Sequence, residues 1–130
     1  MNPSSTILIV DDEEFLLEYV RLVLVRAGYS VLSAQNGEDA WNLILENQDE
    51  IDLLLTDIVM PGSFDGLDLA ERVRKHRPDL PVLLMTGAPP QDCPRTNAPS
   101  WQRMLLRKPF YPNQVLTIVK ENLEAASRSV

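Results

Sequence analysis

The stretch Ile51-Asp52-Leu53-Leu54-Leu55-Thr56-Asp57 decides the reading of this chain. Its apolar run is too continuous for a strand with one face in water, where apolar and polar residues alternate. It therefore predicts a strand buried on both faces, central in a parallel sheet and ending on a carboxylate. Upstream, Ile7-Leu8-Ile9-Val10 is a second run of this kind, and it stops at Asp11-Asp12. Between the two, Glu13 to Ala27 carries Phe15, Leu16, Tyr19, Val20, Leu22, Val23 and Val25 at helical spacing, with Gly28 as C-terminal cap. Tyr29 to Ala34 predicts a strand, and Asn36 or Gly37 opens a helix with Ala40, Trp41, Leu43, Ile44 and Leu45 on its apolar side.

Downstream of Asp57, the loop Met60 to Gly66 leads into a helix over Leu67 to His76, halted before Pro78. Pro81-Val82-Leu83-Leu84-Met85 predicts a fourth strand that ends at Thr86-Gly87. Pro89, Pro90, Pro94 and Pro99 would interrupt any long helix between Ala88 and Ser100, so at most a turn or two fits there. Met104-Leu105-Leu106 is a short fifth strand, Lys108-Pro109-Phe110 follows, and Pro112 to Ala126 closes the chain as a helix with Val115, Leu116, Ile118, Val119 and Leu123 inward. Strands and helices alternate throughout, which implies right-handed crossovers and an α/β doubly wound five-stranded parallel sheet. Helices cover both faces, the fourth helix being short or irregular. Residues 1–130 are expected to form one domain, with a core over about 6–124 and a frayed tail from Ser127 to Val130.

Composition narrows the function. With 130 residues, 45% of them hydrophobic, the chain can bury a core without disulfides or structural metal. The lone Cys93 has no partner within the chain, and no apolar run is long enough for a membrane span or a leader, so a reducing cytoplasm and no membrane insertion are expected. A net charge of -7 disfavours direct nucleic-acid binding, which depends on clustered Lys and Arg displacing counterions.

In an open parallel sheet, ligands bind at the carboxyl ends of the strands. Those ends deliver Asp11 and Asp12 from strand one, Asp57 from strand three and Thr86 from strand four, with Lys108 just after strand five. Three carboxylates held together repel one another unless a cation sits among them. A hard divalent ion such as Mg²⁺ suits an all-oxygen set, and no His or Cys lies nearby to suggest zinc. A carboxylate can act as nucleophile in phosphoryl transfer, with the Lys108 ammonium and the Thr86 hydroxyl contacting phosphoryl oxygens. Taken singly these residues are ordinary: Asp12 reads as a helix N-cap, Asp57 and Thr86-Gly87 as turns, Lys108-Pro109 as a surface loop. Their convergence on one edge reverses that judgement. Elsewhere, His76 and the basic residues Arg72, Arg74, Lys75 and Arg77 read as compensation of a helix dipole, Cys93 as an incidental thiol, Trp41 as core and Trp101 as a partner contact.

The ordered set Asp11-Asp12, Asp57 with Met60-Pro61, Asp65-Gly66, Thr86-Gly87 and Lys108-Pro109-Phe110 resembles the response-regulator receiver domains of two-component systems, over Ile7 to Leu123. The resemblance implies a flavodoxin-like sheet of order 2-1-3-4-5. It implies that Asp57 is the phosphoacceptor and that Mg²⁺ is held by Asp12 and Asp57, by Asp11 partly through water, and by the Val59 backbone carbonyl. Thr86 is then the switch hydroxyl, Lys108 pairs with the phosphoryl group, and the Lys108 to Pro109 bond is cis. The implied partners are a sensor histidine kinase or histidine phosphotransfer protein, a downstream protein, and a second copy in a homodimer. No turnover of an external substrate is implied, only slow autodephosphorylation.

Two departures stand out. Leu105 occupies the position three before the lysine where relatives with an aromatic switch carry Tyr or Phe, and the proline-rich segment replaces the usual fourth helix. The long loop Pro61-Gly62-Ser63-Phe64-Asp65-Gly66 and the Leu-Leu-Arg before Lys108 resemble receivers appended to hybrid histidine kinases. With no output module attached, such a chain acts by protein contacts or is one piece of a larger kinase. The competing readings are a degenerate receiver working as a constitutive interaction module, an aspartyl phosphatase and a flavin binder. The phosphatase wants a second Asp where Val59 stands, and Asp11-Asp12-Glu13-Glu14 would repel a flavin phosphate.

Overall fold

A computed structural model describes residues 5–60, 62, 64–87 and 105–128. The elements in chain order are β1 (Thr6–Val10), α1 (Glu14–Arg26), β2 (Ser30–Ala34), α2 (Gly37–Glu46), β3 (Ile51–Asp57), α3 (Gly66–His76), β4 (Val82–Thr86), β5 (Leu105–Arg107) and α4 (Pro112–Arg128). All strand pairs are parallel and the order is β2-β1-β3-β4-β5, the flavodoxin-like arrangement expected. The proline-rich segment with its expected short or irregular fourth helix, Cys93, Trp101 and Met104 lie outside the described residues.

The continuous apolar strands divide their side chains between two cores. Leu8, Val10, Leu54 and Leu84 pack with Ala40 and Ile44 of α2 and Leu67, Leu69, Ala70 and Val73 of α3. Ile7, Ile9, Leu53, Leu55 and Leu83 pack on the other face with Leu17, Val20 and Leu24 of α1 and Val115 and Val119 of α4. Each fully buried Leu or Ile contributes roughly 1.5–3 kcal/mol of transfer free energy, so the two-sided burial of β1 and β3 is what fixes them in the centre.

The β1–β3 register contains one irregularity. Thr6 pairs with Ile51 but Ile7 pairs with Leu53, so Asp52 is passed over as a bulge. Its side-chain Oδ2 accepts the Thr6 N–H at 2.8 Å, replacing the ladder bond lost there.

Several boundaries and faces differ from expectation. In α1 the buried residues are Leu17, Val20 and Leu24, at i, i+3 and i+7, whereas Phe15 is 93% exposed and Leu22 and Val25 are also exposed. The predicted stripe was too wide because Leu, Val and Phe crowd the helix on more than one side. Leu45 of α2 is likewise exposed. Strand β2 starts at Ser30 rather than Tyr29, and β4 at Val82, after Pro81, which has no N–H to give a ladder. The tail expected from Ser127 begins later, because α4 runs to Arg128. Gly28 ends α1 at φ 101°, the left-handed conformation expected of a C-terminal cap. Helix α3 starts one residue early through a capping box: Asp65 Oδ1 accepts the Asp68 N–H at 2.9 Å, and Asp68 Oδ2 accepts the Asp65 N–H at 3.0 Å.

Candidate functional site

Because Val10 pairs with Thr56, the residues that follow them, Asp11 and Asp57, leave adjacent strands side by side. Asp11 is fully buried, Asp57 is 5% exposed and Asp12 is exposed. One carboxylate oxygen from each of the three lies within 4.8 Å of the others. Thr86 ends β4 next door, where Asp57 pairs with Met85, and is 8% exposed. Its carbonyl accepts the Lys108 N–H at 2.8 Å, which tethers the lysine to the same edge. The Lys108 Nζ then stands 3.0 Å from Asp11 Oδ2, 3.3 Å from Asp57 Oδ1 and 3.6 Å from Glu13 Oε1. The Lys108 to Pro109 bond is cis, as the resemblance implied.

Asp12 is not an N-cap. That position belongs to Glu13, whose side chain makes no capping bond, while Asp11 Oδ1 accepts the Glu13 N–H at 2.9 Å. Val59 has an exposed side chain between buried Ile58 and Met60. The main chain just before it is held because Ile58 donates to the Met85 carbonyl and accepts from Gly66 N–H, both at 3.0 Å.

The electrostatics follow from burial. Asp57 is pushed up to about 6, first by desolvation and then by the negative charge of Asp11, with Lys108 opposing both. Asp11 is also raised by burial, against its bonds to the Glu13 N–H and Lys108. Desolvation alone would depress Lys108, but its hydrogen bond to Asp11 and the Asp57 charge leave it raised and firmly cationic. One ammonium thus offsets part of a three-carboxylate cluster. The remaining charge, on oxygen ligands alone, fits a hard divalent cation such as Mg²⁺.

Other singled-out residues lie away from this edge. The Arg72 guanidinium sits 5.4 Å from the Trp41 ring centroid and 4.4 Å from that of Phe64. His76 meets Trp41 edge-on at 5.3 Å and Gln48 Oε1 at 3.2 Å. Arg77 donates to the Gln48 and Ile51 carbonyls, so two of the four basic residues have specific partners beyond the helix dipole. Sequence reasoning missed Glu13 as a partner of Lys108. It also placed Tyr19 simply on an apolar face, whereas its hydroxyl donates to the Phe110 carbonyl at 3.2 Å. The only available signal was a tyrosine where Leu would pack as well.

The family model described as the response regulator receiver domain matches residues 7–120. The chain belongs to that family. As a receiver domain it is 33% identical over 126 residues to the response regulator receiver protein CpdR of Brucella abortus, covering 92% of this chain and 98% of CpdR. It is 36% identical over 129 residues to the sensor kinase CckA of the same species, covering 95% of this chain but only 13% of CckA. A match to the transcriptional regulator NtrC of Bradyrhizobium, 35% identical, covers 90% of this receiver and 24% of that protein. The chain thus spans a minor part of several of its curated relatives. Among solved structures, a response regulator receiver protein from Sinorhizobium medicae superposes with TM-score 0.83 at 29% identity, covering 95% of this chain and 97% of that one. A receiver domain protein from Clostridium thermocellum gives 0.87 at 25%, covering 97% and 99%. Receiver domains are signalling domains rather than enzymes of substrate turnover, bind Mg²⁺ through acidic residues, and interact with histidine kinases or phosphotransfer proteins. Among the described residues no helix is long and apolar enough to cross a membrane.

Proposed function

We propose that this receiver accepts a phosphoryl group on Asp57 from a phosphohistidine of a sensor histidine kinase or histidine phosphotransfer protein. The observation that carries the reading is the Lys108 ammonium held between Asp11 and Asp57 at 3.0 and 3.3 Å, beside the acidic cluster. A carboxylate oxygen of Asp57 attacks phosphorus in line with the leaving nitrogen. The N–P bond breaks, its electron pair stays on the imidazole, and an O–P bond forms. Asp12, Asp57 and the Val59 carbonyl hold Mg²⁺, with Asp11 acting partly through water. The ion, when bound, neutralises charge on the phosphoryl oxygens. Lys108 exchanges its contact with Asp57 for one with a phosphoryl oxygen, and the Thr86 hydroxyl donates to another. Water later attacks phosphorus, breaks the O–P bond and returns carboxylate and inorganic phosphate, without an external substrate being consumed.

The signal is a shift between two conformations, read by a downstream protein in the cytoplasm or by a second copy of the chain. Leu105 is partly buried against the core of α2 and α3, so the switch works through Thr86 and the main chain around it, without an aromatic ring. Residues 1–130 act as one domain, of the kind appended to hybrid kinases. The test is incubation with Mg²⁺ and a small acyl phosphate. One added phosphoryl group by intact mass, labile to hydroxylamine and absent in Asp57→Asn, is expected. Modification surviving that substitution defeats the assignment, and no modification despite Mg²⁺ binding favours a constitutive interaction module.

A further inference from the structure

Lysine presents a point charge on a flexible four-carbon stem, so where its ammonium can reach depends on how firmly its main chain is held. In this chain the Lys108-Pro109-Phe110 segment is tethered at both ends. The Lys108 N–H is bonded to the Thr86 carbonyl at 2.8 Å. At the other end the Tyr19 hydroxyl of α1 donates to the Phe110 carbonyl at 3.2 Å. The Tyr19 ring also stacks on that of Phe110, with centroids 6.3 Å apart and planes inclined by 30°. Phe110 is buried among Leu106, Val115 and Val119, so Tyr19 grips a residue that cannot swing into solvent. The same helix begins where Glu13 donates to Asp11 Oδ1 at 2.9 Å and faces Lys108 with its carboxylate. Helix α1 therefore holds both Asp11 and the segment that carries its ammonium partner.

We propose that Tyr19 is a positioning residue: through Phe110 it fixes the main chain at Lys108 so that the ammonium meets the phosphoryl group arriving on Asp57. The proposal rests on the reading of Asp57 as acceptor and extends it to a side chain two turns into α1. Tyr19 touches neither the acceptor nor the phosphoryl group and acts only through the lysine.

Tyr19→Phe removes the hydroxyl and keeps the ring. With a small acyl phosphate at saturating Mg²⁺, its maximal phosphorylation rate is expected to fall about two- to tenfold, the range for one lost hydrogen bond. The donor concentration at half-maximal rate and the Mg²⁺ affinity stay unchanged. In a Lys108→Ala background the same substitution has no further effect, because the group it positions is gone. Backbone amide exchange at Lys108, followed by NMR in the Mg²⁺-free protein, speeds up in Tyr19→Phe. An equal fractional loss in both backgrounds, or an unaltered rate, overturns the proposal, as does unchanged exchange at Lys108. The exchange measurement needs no phosphodonor, so a wild-type chain that takes no phosphate defeats the acceptor reading separately.

Discussion

A Cβ on Gly66 would stand 1.6 Å from the carbonyl oxygen of Asp57. The first turn of α3 therefore rests directly on the main chain of the acceptor residue, with the Gly66 N–H bonded to Ile58 O at 3.0 Å. Both surfaces are backbone, so no rotamer change can relieve the clash. Gly66→Ala is expected to destabilise the fold by at least about 1–3 kcal/mol, the usual range for overpacking, and to slow phosphorylation by moving the end of β3. Urea unfolding checks this beside Lys75→Ala, an exposed helix position of α3 expected to change little. Equal stability of the two variants would contradict the contact.

Stability should depend on the charge of Asp57. Its carboxyl is raised from 3.8 to about 6 in the folded state, so between those pH values the folded chain binds more protons than the unfolded one. Stability from this group is greatest below the window, falls as pH rises through it, and is lowest above about 6, by on the order of 3 kcal/mol. Asp57→Asn, uncharged throughout, should raise the Mg²⁺-free melting temperature at pH 7.5, with the gain shrinking as pH approaches 4. A gain that stayed constant with pH would point to some other cause.

Protons and Mg²⁺ compete for the same oxygens. Apparent Mg²⁺ affinity should be flat above neutrality and weaken as pH falls through about 6, the Asp57 value, towards about tenfold per pH unit if one proton is displaced. Calorimetric titration at several pH values measures the slope directly. An affinity independent of pH down to 5 would exclude Asp57 as a ligand.

Asp12 is exposed and bears on the cluster rather than on the core. Asp12→Ala should therefore lower Mg²⁺ affinity at least severalfold while the melting temperature changes little. The comparison uses titration and thermal unfolding on one sample, and unaltered affinity would remove Asp12 from the ligand set.

Arg72 joins two elements by lying over both Trp41 of α2 and Phe64 of the loop before α3. Arg72→Ala should destabilise by about 0.5–2 kcal/mol, as expected for exposed cation–π contacts, and alter Trp41 emission. Chemical denaturation followed by tryptophan fluorescence reads both effects together.

The strands and their order of burial were legible because two-sided burial writes unbroken apolar runs such as Ile7 to Val10 and Leu53 to Leu55. The convergence of Asp11, Asp12, Asp57, Thr86 and Lys108 followed from a general property of parallel sheets, that strand ends share one edge. The buried face of α1 was harder to read. Apolar side chains there occupy more than one side, and periodicity cannot tell Leu17 from Leu22 when both sides are apolar. The Tyr19 bond to Phe110 spans 91 positions and joins a hydroxyl to a carbonyl, so no local pattern announces it.

The irregularity at Asp52 has a consequence far from where it lies. Without the skipped residue, Val10 would pair with Leu55 and Asp11 would come level with Thr56, leaving the acceptor one step beyond its neighbours. A single extra residue at the amino end of the sheet thus sets the alignment at the other end. Uptake of phosphate accordingly reports correct strand alignment, and a molecule assembled one residue out of step would stay silent.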